Sequence, residues 1–425
     1  MIKGLLKEVY PRTVDVLYSA SLFIYLFFSV VWDSFFLFIL PSFTMKIVSV
    51  LVLVLLLVVE IIQLKNTAAM QTGENRFWWY FLAVLTAIAF GLSSYLTDNG
   101  AVLIVFAFVI TARHVSYDQI ALVALLAICS ACLLVVLSTI AGVIEDYVWI
   151  QRRGERVRHG LGFRYATYLS HYIFFAFLLY FYLRRGKAKL LPALAVLAAA
   201  TLVFFLTNSR NAYFLTLAML LISALWNKIS AAWNSTLSRP GKMESFIKTV
   251  LCAMPFVASA LSVGMMVFYN PDNPVFRAMN SLLGSRVSIS HAIYKSYGVT
   301  LFGQYMELQG NGIPATGAIR EAEQVISYID NSYCKLLVNN GALVLLILIT
   351  AYTLLMKKAV GNRNLVIVLL IVFVLAHSVI DSWLLVLRYN TTLLLIGTYL
   401  LGSDAAADES SGPLDKLERQ GEKTA

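Results

Sequence analysis

Charged side chains are scarce in this sequence, since Asp, Glu, Lys and Arg make up 13% of its 425 residues. Soluble globular domains carry about 25% charged residues, so the chain has too little polar surface to cover a water-soluble globule. Cysteine is scarce as well, and four residues in the whole chain exclude a disulfide-rich secreted scaffold. The 26 Phe and 22 Tyr exclude a disordered chain or a collagen-like repeat.

Apolar residues are abundant instead, at 60% of the chain, with a mean hydropathy of +0.77. They form long continuous runs, which are typical of spanning helices, whereas a membrane β-barrel has short alternating segments. We therefore predict an all-α polytopic membrane protein with about twelve transmembrane helices, in one domain over residues 1–402. The predicted spans are roughly 14–32, 45–64, 77–96, 100–112, 119–141, 165–183, 189–207, 211–227, 249–269, 336–356, 365–380 and 386–402. The polar tail 403–425 is expected to be disordered.

Basic residues determine the predicted orientation of these spans, because the chain has a formal net charge of +10. Most Lys and Arg fall in segments that lie in the cytoplasm if the N-terminus is inside, as the positive-inside rule requires. Both termini are therefore expected in the cytoplasm, and segments 142–164 and 270–335 are expected to face outward. The second is long enough to form an outer loop domain with short helices. Because orientation accounts for the basic excess, no nucleic-acid partner is expected.

The basic residues of the outward segments are mostly arginines, which oppose the orientation signal. They are Arg152, Arg153, Arg156, Arg158 and Arg164 in the first segment and Arg277, Arg286 and Arg320 in the second, and Arg210 lies in a short connection. A guanidinium binds phosphate or carboxylate through two parallel hydrogen bonds, so the pattern predicts an anionic substrate at the outer face. Anchoring of a loop to membrane lipid headgroups is the alternative for any single arginine.

Four short motifs follow one another in the second half of the chain. They are Arg158-His-Gly-Leu-Gly-Phe163; Asn208-Ser-Arg210; Gly284-Ser-Arg286, followed by Gly303; and Asp330-Asn-Ser-Tyr333, followed by Gly341. In this order, and with a long outer loop late in a twelve-helix chain, they resemble the O-antigen polymerase and ligase superfamily. The resemblance covers residues from about 150 to 345.

The resemblance implies a metal-independent, inverting glycosyl transfer at the outer face of the bacterial inner membrane. The implied substrates are a donor and an acceptor glycan carried on undecaprenyl pyrophosphate, and a chain-length regulator protein is an implied partner. Ligases of the superfamily have a histidine where this sequence has Asp330. This difference favours a polymerase of O-antigen or capsule repeat units, as in lipopolysaccharide synthesis, over a ligase. A flippase for the same lipid-linked sugar is the alternative from another class.

The expected catalytic residues are two arginines and one carboxylate. Cleavage of a sugar–pyrophosphate bond builds negative charge on the leaving group, which Arg210 and Arg286 are suited to stabilise. Asp330 is the expected proton acceptor for the attacking hydroxyl, and an N-terminal helix cap is its alternative role. The expected substrate-binding residues are Arg153, Arg158, His159, His291, Asn331 and Tyr333. Further candidates for the base are His291 and the pair Glu145 and Asp146.

No metal ion or other cofactor is expected from the sequence. The chain has five histidines, and their spacing matches no metal-binding motif. The described motifs also include no carboxylate pair of the kind that binds a catalytic metal. Arginines alone would then neutralise the pyrophosphate.

Overall fold

The computed structural model describes residues 2–70, 74–150, 157–308, 310, 313 and 328–402. Helices make up most of this part of the chain, and its strands form a single two-stranded sheet. The helices are α1 (Ile2–Trp32), α2 (Thr44–Met70), α3 (Glu74–Leu96), α4 (Ala101–Thr111), α5 (Tyr117–Ile140), α6 (Tyr168–Leu183), α7 (Leu190–Thr207), α8 (Arg210–Ala224), α9 (Trp226–Ser238), α10 (Lys242–Val267), α11 (Pro274–Leu282), α12 (Arg286–Tyr297), α13 (Ser332–Lys335), α14 (Ala342–Gly361) and α15 (Leu365–Ile380). The tail 403–425 lies outside the described residues.

Six of the described helices contain a segment long and apolar enough to cross a membrane. These helices are α1, α2, α5, α7, α10 and α14. Helices α8 and α9 together form a seventh such segment, with a bend of 76° between them. Many apolar side chains on these helices point outward, including Leu190 and Phe205, each 76% exposed. Such extensive exposed apolar surface is normal for helices in lipid and abnormal for a soluble monomer. The chain is an all-α membrane protein.

The bundle packs around α6, whose aromatic side chains are buried on every side. Phe174, Phe177 and Phe181 are each at most 1% exposed. Helices α5, α7, α8 and α15 contact α6, and a separate pair, α10 and α14, packs side by side. A helix that is apolar all round belongs in the interior of a large bundle, which explains why α6 is central.

Two of the last three predicted spans differ from the helices observed there. The span predicted at 336–356 starts as a π-helical turn, Leu336–Asn340, breaks at Gly341 and continues as α14. The span predicted at 386–402 is helical only over Thr391–Leu401, which starts as the 3-10 turn Thr391–Leu393 and ends as the π-helical stretch Ile396–Leu401. The Asn390 side chain donates to Leu384 O and to the Tyr352 hydroxyl, which satisfies polar groups of the irregular segment before them.

The two long segments between helices have structure of their own. In segment 142–164, strand β1 (Val148–Ile150) pairs antiparallel with strand β2 (Val157–His159). Segment 270–335 contains the short helices α11 and α12 in its described part. Residues 151–156, and with them Arg153, lie outside the described residues.

Candidate functional site

An ion pair joins the third and fourth motifs, Gly284-Ser-Arg286 and Asp330-Asn-Ser-Tyr333, although they are far apart in sequence. Nε of Arg286 donates to Oδ2 of Asp330 at 2.9 Å, and both side chains are about 30% exposed. Arg286 is the first residue of α12, after Ser285 and Gly284, which both have left-handed backbone. This turn directs the guanidinium back toward the chain, so that a second nitrogen donates to Leu283 O at 3.2 Å.

The pair sits in surroundings that change the acidity of both groups. Burial raises the pKa of the Asp330 carboxyl to about 6, although Arg286 beside it acts in the opposite direction. Burial disfavours the charge of Arg286, but Asp330 and Asp381 outweigh it and raise the pKa of the guanidinium. Asp330 is therefore a carboxylate whose pKa lies near neutral pH, as general-base catalysis favours.

The helix after Asp330 is capped by the following residue, so the alternative role of Asp330 as its N-cap is wrong. Oδ1 of Asn331 accepts hydrogen bonds from the backbone N–H groups of Tyr333 and Cys334, and its amide donates to Val379 O at 2.7 Å. Both ends of the Asn331 side chain are therefore engaged within the protein. The carboxylate of Asp330 is left to contact Arg286.

Tyr333 lies on α13, and its side chain points into the interior toward α15. Its side chain is fully buried, and its hydroxyl donates to Leu375 O at 3.1 Å. The ring therefore offers no surface to a sugar in this conformation. Its neighbour Ser332 bonds to Asp381 O at 2.6 Å and so fixes the start of α13 against the end of α15.

Two glycines of the motifs hold the backbone behind the ion pair. Gly303 and Gly341 both have positive φ, at 98° and 96°. A Cβ on Gly303 would lie 2.4 Å from Asn339 O, and a Cβ on Gly341 would lie 2.4 Å from the Gly303 nitrogen. The two segments therefore approach so closely that only glycine fits at either position.

The side chains around the Asn208-Ser-Arg210 motif point in two directions. Asn208 ends α7 in a left-handed conformation, which asparagine tolerates, and α8 begins at Arg210. The Arg210 side chain is exposed, and no contact with Arg286 or Asp330 occurs among its described contacts. Asn211 points inward instead, and its amide donates to Oδ2 of Asp381.

The residues predicted around 158 lie next to this motif. Nε of Arg158 donates to Thr207 O at 2.5 Å, at the end of α7. His159 contacts Asp146 at 2.6 Å, and Asp146 also accepts from the backbone N–H of Leu161. The hydrogen bond of Arg158 thus holds strand β2 at the end of α7, next to the Asn208-Ser-Arg210 motif. Arg153 lies outside the described residues.

His291 lies on α12, one turn beyond Arg286, and is tied to α10. Its Nδ1 lies 2.7 Å from Met266 O, and its ring packs beside Tyr269. With one ring nitrogen engaged by a carbonyl oxygen, only the other is available to a substrate. Glu145, another alternative base, is exposed.

A buried carboxylate that the sequence did not single out holds two arginines. Oδ2 of Asp33 accepts from Nε of Arg388 at 2.6 Å and from the Tyr172 hydroxyl at 2.7 Å, and Oδ1 lies 3.7 Å from Arg164. Asp33 is 3% exposed. The sequence indicates Asp33 only as a charged residue directly after the apolar run of α1. Its partner Arg388 lies 355 positions away in the chain.

A second cluster of titratable residues is formed by His171 on α6 and by His377 and Asp381 at the end of α15. Nδ1 of His171 lies 3.0 Å from Nε2 of His377, and each ring has a nitrogen 3.6 Å from a carboxylate oxygen of Asp381. Both histidines are 1% exposed. Two imidazoles and a carboxylate at this separation are a donor set that binds divalent metals.

A cavity of about 210 Å³ adjoins the start of α13. Polar and cationic side chains line one part of it, among them Lys335, Arg388, Asn99 and Asn340, and Trp383 closes another part. Lys335 interacts electrostatically with Asp330. A different cavity of about 220 Å³ between α3, α4 and α14 is lined almost wholly by apolar side chains. Only the first cavity has the charges that an anionic substrate requires.

Comparison of the chain with protein-family models, with curated proteins and with solved structures gives no match. Function is therefore inferred from the contacts described above and from the order of the motifs in the chain.

Proposed function

We propose that this protein is a polymerase of lipid-linked oligosaccharide repeat units, of the kind found in the O-antigen polymerase and ligase superfamily. The observation that supports this most strongly is the 2.9 Å ion pair between Arg286 and Asp330. It brings together a phosphate-binding group and a proton acceptor from two motifs that are separated by 44 positions.

The proposed setting is the bacterial inner membrane. Residues 1–402 would form one domain of about twelve spans, with both termini in the cytoplasm and segments 142–164 and 270–335 outside. The exposed apolar faces and the distribution of Lys and Arg support this arrangement. The helices α11 and α12 of the second segment would then belong to an outer loop domain that carries Arg286 over the membrane surface.

In the proposed reaction, a hydroxyl of the acceptor sugar attacks C1 of the donor sugar, which is linked to undecaprenyl pyrophosphate. A new C1–O bond forms as the bond from C1 to the pyrophosphate oxygen breaks, with inversion at C1. The hydroxyl proton passes to Asp330, and undecaprenyl pyrophosphate leaves with the bonding electrons. Arg286 stabilises the charge on the leaving oxygens, and no metal is assigned to this step.

The position of Arg210 suits a supporting role in binding the same pyrophosphate. It stands exposed at the first residue of α8, where a long side chain reaches the headgroup region from a helix end. Arg158 is held at the end of α7, three residues before this helix start, by its hydrogen bond to Thr207 O. The cavity beside Lys335 and Arg388 adds further positive charge close to Asp330.

The proposal is tested with purified protein and a synthetic undecaprenyl-pyrophosphate repeat unit in detergent, with and without added magnesium or manganese. A ladder of products that is independent of these metals supports polymerisation. A single transfer to a different acceptor indicates a ligase, and transport without any product in liposomes indicates a flippase. Either of the last two results would overturn the proposal.

A further inference from the structure

The cluster of His171, His377 and Asp381 has no role in the proposed sugar transfer, yet its geometry is unusually specific. The three ligand atoms all lie within 4.8 Å of one another, and the closest, Nδ1 of His171 and Nε2 of His377, are 3.0 Å apart. Zinc binds nitrogen and oxygen ligands at about 2.0–2.1 Å in a tetrahedron, which separates ligand atoms by about 3.3–3.4 Å. The 3.0 Å between Nδ1 of His171 and Nε2 of His377 and the 3.6 Å from the same Nε2 to Oδ2 of Asp381 lie on either side of that value.

Within the protein, the Asp381 carboxylate interacts electrostatically with Arg286, but no cationic group lies at bonding distance among its described contacts. Its 3.6 Å distances to the two histidines are too long for hydrogen bonds, and its described hydrogen bond comes from the Asn211 amide. A buried carboxylate is costly unless a positive group or strong hydrogen bonds compensate its charge. A divalent cation between the three side chains would provide that charge at bonding distance.

The surroundings have the features of a metal site. His377 and Asp381 are four residues apart, so they lie on one side of the end of α15, while His171 faces them from α6. Asn211 holds one carboxylate oxygen, as hydrogen-bonding groups around ligating carboxylates do. The ring of Phe174 stacks on His377 at 5.1 Å and, with the neighbouring aromatic side chains, excludes water.

We propose that His171, His377 and Asp381 bind one divalent transition-metal ion, with zinc as the ion that best fits two imidazoles and a carboxylate. The ion would join α6 to the end of α15 and so fix the segment against which α13 packs. It is distinct from the pyrophosphate contact, since neither Arg286 nor Asp330 is among its ligands. The proposal departs from the expectation, drawn from histidine spacing, that the protein binds no metal.

The test is the metal content of the full-length protein, purified in detergent without a polyhistidine tag. After incubation with excess zinc and desalting, the wild type should hold about one zinc per chain, and His171→Asn/His377→Asn should lose most of it. His291→Asn is the matched control and should keep the wild-type content, because His291 contacts a backbone carbonyl elsewhere. Cobalt in place of zinc should give the intense visible absorption of tetrahedral coordination in the wild type and in His291→Asn, but not in the double variant.

The wild-type measurement decides the matter even if the double variant folds poorly. A wild type that holds less than about a tenth of an equivalent of zinc would overturn the proposal. So would a folded double variant that retains the wild-type content. Because no sugar substrate is present, failure here leaves the polymerase proposal unaffected, and a metal-replete protein without transferase activity would contradict only that proposal.

Discussion

Replacing Arg286 by lysine should separate the stability of the protein from its activity. The guanidinium makes two contacts that diverge, one to Oδ2 of Asp330 at 2.9 Å and one to Leu283 O at 3.2 Å. A lysine ammonium keeps the positive charge but cannot present two fixed N–H groups to a phosphate. Charge is therefore conserved in Arg286→Lys while the planar arrangement of donors is lost.

Arg286→Lys should change the free energy of unfolding several-fold less than the activation free energy of sugar transfer. Arg286 and Asp330 are each about 30% exposed, so their ion pair contributes about 0.2–1 kcal/mol to the free energy of unfolding. A preorganised donor to the charge of a transition state contributes far more, about 2.7–4 kcal/mol, or 10²–10³ in rate. Arg286→Lys should therefore melt within a few degrees of the wild type and transfer sugar about 10²–10³ times more slowly.

The assay is single-turnover transfer from a fluorescent lipid-linked repeat unit, together with thermal melting in the same detergent. Arg277→Lys is the matched control, since Arg277 is exposed on the neighbouring helix α11 and has no proposed role. Its transfer rate should equal that of the wild type. A normal rate in Arg286→Lys would refute the assignment of Arg286 to the pyrophosphate. An equal loss in both variants would show that the effect is not specific to Arg286.

Three further predictions concern Asp330, the glycine contact and the topology. The transfer rate should fall as the pH drops through about 6, because protonation of Asp330 removes the proton acceptor. The residual activity of Asp330→Asn should lack this pH dependence. If the variant keeps the pH profile of the wild type, the base is another residue. Gly303→Ala should lower the free energy of unfolding by about 1–3 kcal/mol in thermal or denaturant unfolding. Gly91→Ala is the control and should not lower it, because no atom lies within 4 Å of the added Cβ. An equal loss in the two variants would contradict the close approach of Gly303 to Asn339. In intact cells, an impermeant thiol reagent should label Ser281→Cys but not Ser245→Cys, and the reverse would overturn the orientation.

Long apolar runs allowed several helices to be predicted closely from sequence. The predicted spans 119–141 and 189–207 correspond to α5 and α7 within two residues at each end. Continuous apolar sequence of that length has no stable alternative to a helix in lipid. The first residues of segment 386–402 are not helical, contrary to the prediction. The Asn390 side chain donates hydrogen bonds to Leu384 O and to the Tyr352 hydroxyl there, and no local sequence pattern encodes these contacts.

The site was predictable where its signal was local and hidden where it depended on distant residues. Asp330 and Asn331 are both good helix caps, so only the structure distinguishes the capping Asn331 from the Asp330 that pairs with Arg286. The contact between His171 and His377 joins residues 206 positions apart, and no spacing rule applies at that distance. Buried polar clusters of this kind are set by helix packing and are missed by sequence patterns.

Arg286 and Asp330 are proposed to act as one unit in sugar transfer. A double-mutant cycle tests this cooperation most directly. The single-turnover rates of Arg286→Lys, Asp330→Asn and the double variant are compared with that of the wild type. Residues that act together in one transition state are strongly non-additive, so the double variant should be within about threefold of the slower single variant. Losses that multiply in the double variant would contradict the account, because the two residues would then act independently.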